Sequence, residues 1–261
     1  MITLHTLASG SEGNCLLLSA GDTHILVDAG ISCRRINTAL GELGLSLRDV
    51  AAVFITHEHS DHISGLQTMV RRHEMPIYTG PATARQLQYR IAGIAPRLQA
   101  VEDAFPVGEV TVTPFATSHD VAGGMDYRFD RRGASVGVLT DTGYVTDQAR
   151  SALRGVELLV LESNHDVEWL RSGPYPYPLK ARILSDQGHL SNDAAAAFAA
   201  EMAEHGTRQF VLAHLSRENN TPQRALDTVE RALADYDVTV TVAPRGELSE
   251  AYVAEGAICR R

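Results

Sequence analysis

Short apolar runs alternate with turn-forming residues over the first third of the chain. Ile2–Ala8, Cys15–Ser19 and His24–Val27 have the length and composition of strands, and SGSEGN and AGD between them are turn chemistry. Ser32–Leu43 has the spacing of an amphipathic helix, and Ala51–Thr56 (AAVFIT) reads as a buried strand. Ile63, Leu66, Met69 and Val70 recur at i, i+3, i+6 and i+7, which predicts a helix from about His62 to His73. Pro81–Ile91 predicts another, with proline in its first turn. Four strands are predicted next, at Glu109–Phe115, Gly124–Phe129, Ser135–Thr140 and Glu157–Glu162. The proline-rich stretch GPYPYPLKARI predicts a loop. Ser191 or Asn192 is placed to cap a helix running to Glu204. A strand at Gln209–Ala213, a helix at Pro222–Ala234 and a strand at Val238–Val242 follow. Strands followed by mixed helices and strands, twice over, predict two sheets with helices outside, an α/β layered sandwich.

No linker, repeat or low-complexity tract interrupts this pattern, so residues 1–261 are expected to form one domain. With 44% hydrophobic and 21% charged residues, the chain matches an ordinary globular protein, not a disordered, collagenous or membrane-spanning one. Cys15, Cys33 and Cys259 are odd in number and widely spaced, which fits neither a disulfide framework nor a zinc ribbon. The opening MITLHTLASG has neither the basic nor the apolar region of a secretory leader. The expected home is therefore a reducing cytoplasm, without membrane contact. A net charge of −9 excludes a uniformly basic nucleic-acid coat but not a local basic patch. Lys180 is the only lysine; every other basic residue is arginine, whose fork suits phosphate, although a genome-wide compositional bias gives the same count.

The segment Thr56-His57-Glu58-His59-Ser60-Asp61-His62 changes the picture most. Three histidines and an aspartate follow a buried strand directly, and imidazole with carboxylate is the ligand set of zinc, manganese and iron. In extended backbone His57 and His59 point the same way, while Asp61 and His62 turn into a helix start and can face a second ion. Further ligand-type residues follow predicted strands: His119 in TSHD, Asp141 in LTDTG and His214 in LAHLS. Together these seven residues are enough for two coordination spheres.

HxHxDH followed by a spaced His, Asp and His resembles the metallo-β-lactamase superfamily over nearly the whole chain. The resemblance implies a four-layer αββα sandwich with two divalent metal ions, Zn²⁺ or Mn²⁺ with Fe²⁺ as a further option. It implies one ion on His57, His59 and His119, a second on Asp61, His62 and His214, and Asp141 bridging them. Asp28, in LVDAG, matches the buried aspartate that supports such a centre from behind its ligands. Aspartate rather than cysteine at Asp141 resembles the phosphodiesterase and glyoxalase-II types. The 72 positions between Asp141 and His214 leave no room for the inserted domain of the β-CASP nucleases, and the long arm of tRNase Z is missing. The strings ASGSEGNC, LESNHD, YPLKARILSDQGHLSN and LAHLSRENN resemble the YycJ-like branch, also called WalJ. That branch implies a 5′-to-3′ exonuclease acting on double-stranded DNA.

On that reading a hydroxide held between the two ions attacks the phosphodiester, oriented by Asp61. His189, in QGHLS, is the expected general acid, with Glu162 orienting its ring. Lys180, Arg182, Arg217 and Asn219 flank the same loops and are expected to bind substrate phosphates. His165 and Asp166 are left between loop-ordering and substrate-contacting roles, and the SGSEGN turn is expected to abut the site. The acidic balance predicts weak, salt-sensitive DNA binding, with DNA favoured over RNA as partner. Two readings compete. A lactonase, thioesterase or weak β-lactamase would share the ligands but need an apolar pocket. A non-catalytic module would keep metal for folding alone, which the full ligand set argues against because structural zinc sites are closed by four ligands.

Overall fold

The computed structural model of the chain describes residues 1–256, so Cys259 lies outside the described residues. One seven-stranded sheet has the order β14-β1-β2-β3-β4-β5-β6: Tyr252–Ala254, Ile2–Ala8, Cys15–Ala20, Thr23–Val27, Val50–Phe54, Ile77–Thr79 and Leu98–Ala100. The other has the order β13-β12-β11-β10-β9-β8-β7: Thr239–Val242, Gln209–Ala213, Leu158–Glu162, Ala134–Leu139, Met125–Arg131, Val110–Ala116 and Phe105–Val107. Strands β3 to β6 are mutually parallel, as are β10 to β13. Chain ends cross over, because β14 pairs antiparallel with β1 and so returns the C-terminal region to the first sheet.

Three apolar layers hold the sheets. Between them, Ile25, Phe54, Tyr127, Phe129 and Val160 pack face to face. On the outside of the first sheet, Ile36, Leu40, Leu66 and Leu87 come from α1 (Cys33–Glu42), α3 (Leu66–Arg72) and α4 (Pro81–Arg90). On the outside of the second, Leu153, Phe198, Met202 and Val229 come from α5 (Asp147–Leu153), α8 (Asn192–Glu204) and α9 (Pro222–Ala232). Helix, sheet, sheet, helix is the αββα sandwich that the resemblance implied. Strands β10 and β11 are buried along their whole length, as parallel strands covered on both faces must be.

Two expectations need correction. The helix predicted over residues 62–73 is two helices, α2 (Ser60–Ile63) and α3, parted at Gly65. A Cβ at Gly65 would collide with the Ile31 carbonyl oxygen, and the Gly65 N–H donates to Ala29 O (2.8 Å). The contact with the β3–α1 loop therefore overrides the helical period. The proline-rich segment is not a loop throughout: Tyr177–Ile183 forms α7, with Pro178 in the first turn, where no N–H is needed. Helices α5 and α6 (Val167–Ser172) and strands β5, β6, β7 and β14 were not read from the sequence; apart from α5 and α6 these are only three residues long.

Candidate metal centre

Every ligand-type residue singled out above lies beyond the carboxyl end of a strand, and the two sheets bring those ends to one rim. Asp28 follows β3, the His57–His62 segment follows β4, and His119 follows β8. Asp141, Glu162 and His214 follow or end β10, β11 and β12. Crevices at strand C-termini are where parallel α/β sheets collect ligands. Three of these residues have a left-handed backbone: Asp28 (φ 62°), Asp141 (φ 49°) and His214 (φ 53°). Such conformations cost about 1–3 kcal/mol each in non-glycine residues and persist only where the surroundings hold them. Here each one turns the chain sharply at a strand end so that a carboxylate or imidazole faces the rim.

The HxHxDH segment follows the period of extended backbone. His57 and His59 face the centre, with ring centroids 4.7 Å apart. Glu58 between them points away. Its carboxylate accepts from Thr83 Oγ1 (3.4 Å) and Ala122 N (3.3 Å), anchoring the loop to α4 and to the segment before β9. The chain then enters α2, which turns Asp61 and His62 inward. His57, His59 and His119 form one set of ligand atoms within 4.8 Å of one another, and Asp61, His62 and His214 form another. Asp141 lies between them: its Oδ2 is 3.1 Å from His62 Nε2 and its Oδ1 is 3.7 Å from His119 Nε2.

A layer of acceptors behind the histidines fixes which nitrogen faces inward. His62 Nδ1 donates to Asp28 Oδ2 (2.7 Å), His57 Nδ1 to Thr56 Oγ1 (3.0 Å) and His119 Nδ1 to Gly188 O (3.0 Å). His214 Nδ1 donates to Glu162 Oε1 (3.0 Å). Asp28 is itself held by the Thr56 N–H and hydroxyl. With each Nδ1 occupied, the Nε2 atoms of His57, His119 and His214 and Oδ2 of Asp141 are buried and have no hydrogen-bond partner among the described residues. Four unsatisfied donor or acceptor atoms converging on one point would be costly in a finished protein. They fit divalent metal ions, which take imidazole and carboxylate in this manner.

Without metal, charge is balanced among the side chains. Burial pushes the His62 imidazole down, but the carboxylates of Asp28 and Asp141 more than reverse this, leaving it well above the ordinary histidine range. The same contest, with Asp141, Asp61 and Glu162 as partners, leaves His214 at about 10. Burial also pushes Glu162 up, and His189 and His214 pull it down to about 2. His57, buried and facing other imidazoles, is lowered well below the usual value.

His189 stands at the open side. Its Nδ1 donates to Glu162 Oε1 (2.7 Å), the pair expected from the sequence, and its ring lies 4.9 Å from His119 and 5.3 Å from His214. It borders a cavity of about 300 Å³ together with Asp61, Asp141, Tyr175, Leu179 and Arg182. Arg182 donates from Nε to Asp120 Oδ2 (2.5 Å), and Asp120 Oδ1 lies 3.3 Å from His119 Nε2.

The other proposed substrate contacts are placed differently. Lys180 Nζ is spent on the carbonyls of Arg171 (2.7 Å) and Gly173 (2.7 Å), tying α7 to α6 rather than reaching the cavity. Asn219 is fully buried beside Ser216, so direct substrate contact is closed to it. Arg217 is exposed and paired with Glu12 (2.8 Å). Asp166 orders its loop: it caps α6 through Trp169 N (2.8 Å) and pairs with Arg224 (2.9 Å). His165 is buried next to Asn164, with no partner for either ring nitrogen among the described residues. Thr56 and Asp120 belong to the site but were not assigned to it from the sequence, where small polar residues in turns look alike; Asn14 lies there as the SGSEGN turn was expected to. Asn14 Nδ2 lies 3.1 Å from His62 Nε2, and its N–H donates to Asp61 O (2.8 Å).

Comparisons with known proteins agree with this geometry. The family model for the beta-lactamase superfamily domain matches residues 23–215. Exodeoxyribonuclease YycJ of Bacillus anthracis is 38% identical over 232 residues, covering 88% of both chains. Exodeoxyribonuclease WalJ of Streptococcus pneumoniae is 37% identical over 241 residues, covering 90% of both. Among solved structures, the metallo-β-lactamase fold protein YhfI of Bacillus subtilis aligns with a TM-score of 0.72 at 20% identity, over 96% of this chain and all of that one. The short form of human tRNase Z aligns with a TM-score of 0.66 at 17% identity, over 96% of this chain and all of that one.

Proposed function

Since the chain belongs to the metallo-β-lactamase superfamily, in the group that holds the YycJ and WalJ exodeoxyribonucleases, we propose that it is a metal-dependent phosphodiesterase that removes nucleotides from DNA ends in the 5′-to-3′ direction. The observation that carries the reading is the Glu162–His189 pair, which puts an oriented imidazole at the mouth of the cavity beside the converging ligand atoms. A phosphodiester leaving group departs as an alkoxide and needs a proton, which an imidazolium placed at the mouth of the cavity can give.

In this reading His57, His59 and His119 would hold one divalent ion and Asp61, His62 and His214 the other, with the Asp141 carboxylate available between the two sets. Zn²⁺ and Mn²⁺ both suit these ligands; when bound, such ions polarise the phosphoryl oxygens and lower the pKa of water. Asp61, only partly buried, uses its outer face to position the attacking water. His189 gives up its Nε2 proton to the leaving oxygen while Glu162 keeps the imidazolium in place through Nδ1. Burial lowers the His189 pKa, but Glu162 raises it above the ordinary value, which favours the protonated ring that a proton donor must be. Arg182, drawn over the cavity by Asp120, supplies positive charge to the phosphate.

The test is to incubate metal-analysed protein with 5′-phosphorylated duplex DNA and added Mn²⁺ or Zn²⁺. Asp61→Ala and His189→Ala serve as controls. Nucleotide release that disappears in Asp61→Ala and falls about 10²–10⁴-fold in His189→Ala is the expected result. Two bound metals with no cleavage of duplex, single-stranded DNA or RNA would replace this reading with ester or lactone hydrolysis.

A further inference from the structure

The SGSEGN turn separates two cavities. Ser11 borders the cavity at the metal centre, while Ser9, Gly10 and Gly13 border a second one of about 150 Å³ on the turn's other side. Arg35 and Arg245 line that second cavity. We propose that it is a subsite for a backbone phosphate of the nucleic acid, next to the one being cleaved. This inference rests on the phosphodiesterase reading and extends it to how the strand is held.

Four observations support it. First, Nη1 of Arg245 is buried and has no hydrogen-bond partner among the described residues. A guanidinium nitrogen withdrawn from water and left unpaired is costly, and an anion restores its bonds. Second, the guanidinium is kept close to the turn. A Cβ built on Gly10 would stand 3.8 Å from Arg245 Nη1, ordinary contact, which places the guanidinium against the turn; glycine is favoured there by its φ of +133°. Third, Glu12, the carboxylate on the lining of the cavity, is paired with Arg217 (2.8 Å). Arg35, with Nη2 on Gly246 O (3.1 Å), adds a second positive charge. Fourth, the cavity is coupled to the centre through one residue. Ser9 Oγ accepts from His214 N (2.9 Å), and Ser9 N donates to Arg245 O (3.1 Å). A strand with one phosphate at the ligand rim thus finds the neighbouring phosphate's partner a single turn away.

The experiment compares Arg245→Met and Arg35→Ala with wild type in the metal-loaded full chain. Each is assayed on a duplex oligonucleotide and on bis-p-nitrophenyl phosphate, which has no second phosphate. The ratio of kcat/KM for the duplex to kcat/KM for the small diester should fall about tenfold in each variant. The slope of log binding constant against log salt should become shallower by about one unit for each lost contact. Arg35 is exposed and makes one carbonyl contact, so its variant reads the subsite even if Arg245→Met disturbs the turn; thermal melts record that separately. Duplex cleavage with an unchanged ratio and an unchanged salt slope in both variants would overturn the subsite alone. A wild type that cleaves the small diester but neither binds nor cleaves any nucleic acid would overturn the function and the subsite with it.

Discussion

Glu162 is the residue on which the proposed chemistry turns. One oxygen accepts from both His189 and His214, and the other takes the backbone N–H groups of Thr142 (3.0 Å) and Leu190 (3.2 Å). Glu162→Gln keeps the shape but removes the charge that orients both rings. Turnover should fall about 10–100-fold, with a parallel loss of metal affinity, measured by steady-state rates and metal content after dialysis. Asp28→Asn should weaken metal binding by a similar factor, through His62 directly and through Thr56, which holds His57. A pH effect follows from the metal-free charges. His214, at about 10, and His62, well above its ordinary value, both carry protons at pH 7. Ligation needs neutral imidazole, so metal uptake must release these protons and apparent affinity must rise with pH. Calorimetric titration in two buffers of different ionisation enthalpy would count them. Cys15 gives a simple control: burial raises its thiol pKa far above the usual value, so it should react with thiol reagents only on unfolding, followed by mass spectrometry.

At the scale of elements, the site depends on close backbone approach between loops. A Cβ on Gly30 would fall on the Asp61 carbonyl oxygen and crowd Asn14 N. Gly30→Ala should therefore push the metal-binding loop outward, costing about 1–3 kcal/mol in denaturant unfolding and lowering metal content in the same preparation. Long periodic elements were legible in the sequence. Gln209–Ala213 has the bounds read from its apolar run, and α8 is capped by Ser191, whose hydroxyl accepts from Ala194 N (3.1 Å). The grouping of ligand-type residues was legible too: the histidines at period two after an apolar strand lie close to His119, Asp141 and His214, as their places after strands suggested. What escaped was set by tertiary contact. The break at Gly65 comes from a carbonyl in another loop, and β14 is three residues whose strand identity exists only beside β1. Lys180 was read as a phosphate contact by its charge; its actual partners, two carbonyls at the end of α6, depend on a helix the prolines concealed.

Over the whole molecule, the residues proposed to hold metal come from both sheets, so bound metal would clasp one half of the sandwich to the other. Chelation should lower the melting temperature. At free metal a thousandfold above its Kd each ion contributes about 4 kcal/mol, and each kcal/mol is worth about 2–4 °C in a chain this long. Scanning calorimetry before and after chelator dialysis measures the difference. No helix among the described residues is long and apolar enough to cross a membrane. The clasp has a further consequence in time. A chain leaves the ribosome from its N-terminus at about 5–20 residues per second. The His57–His62 segment appears early, His119 completes the first triad, and the second set waits for His214. β14, which flanks β1, arrives later still. A growing chain thus cannot assemble both sets until most of it has been made, and a truncated product that stops before His214 would be born unable to cut.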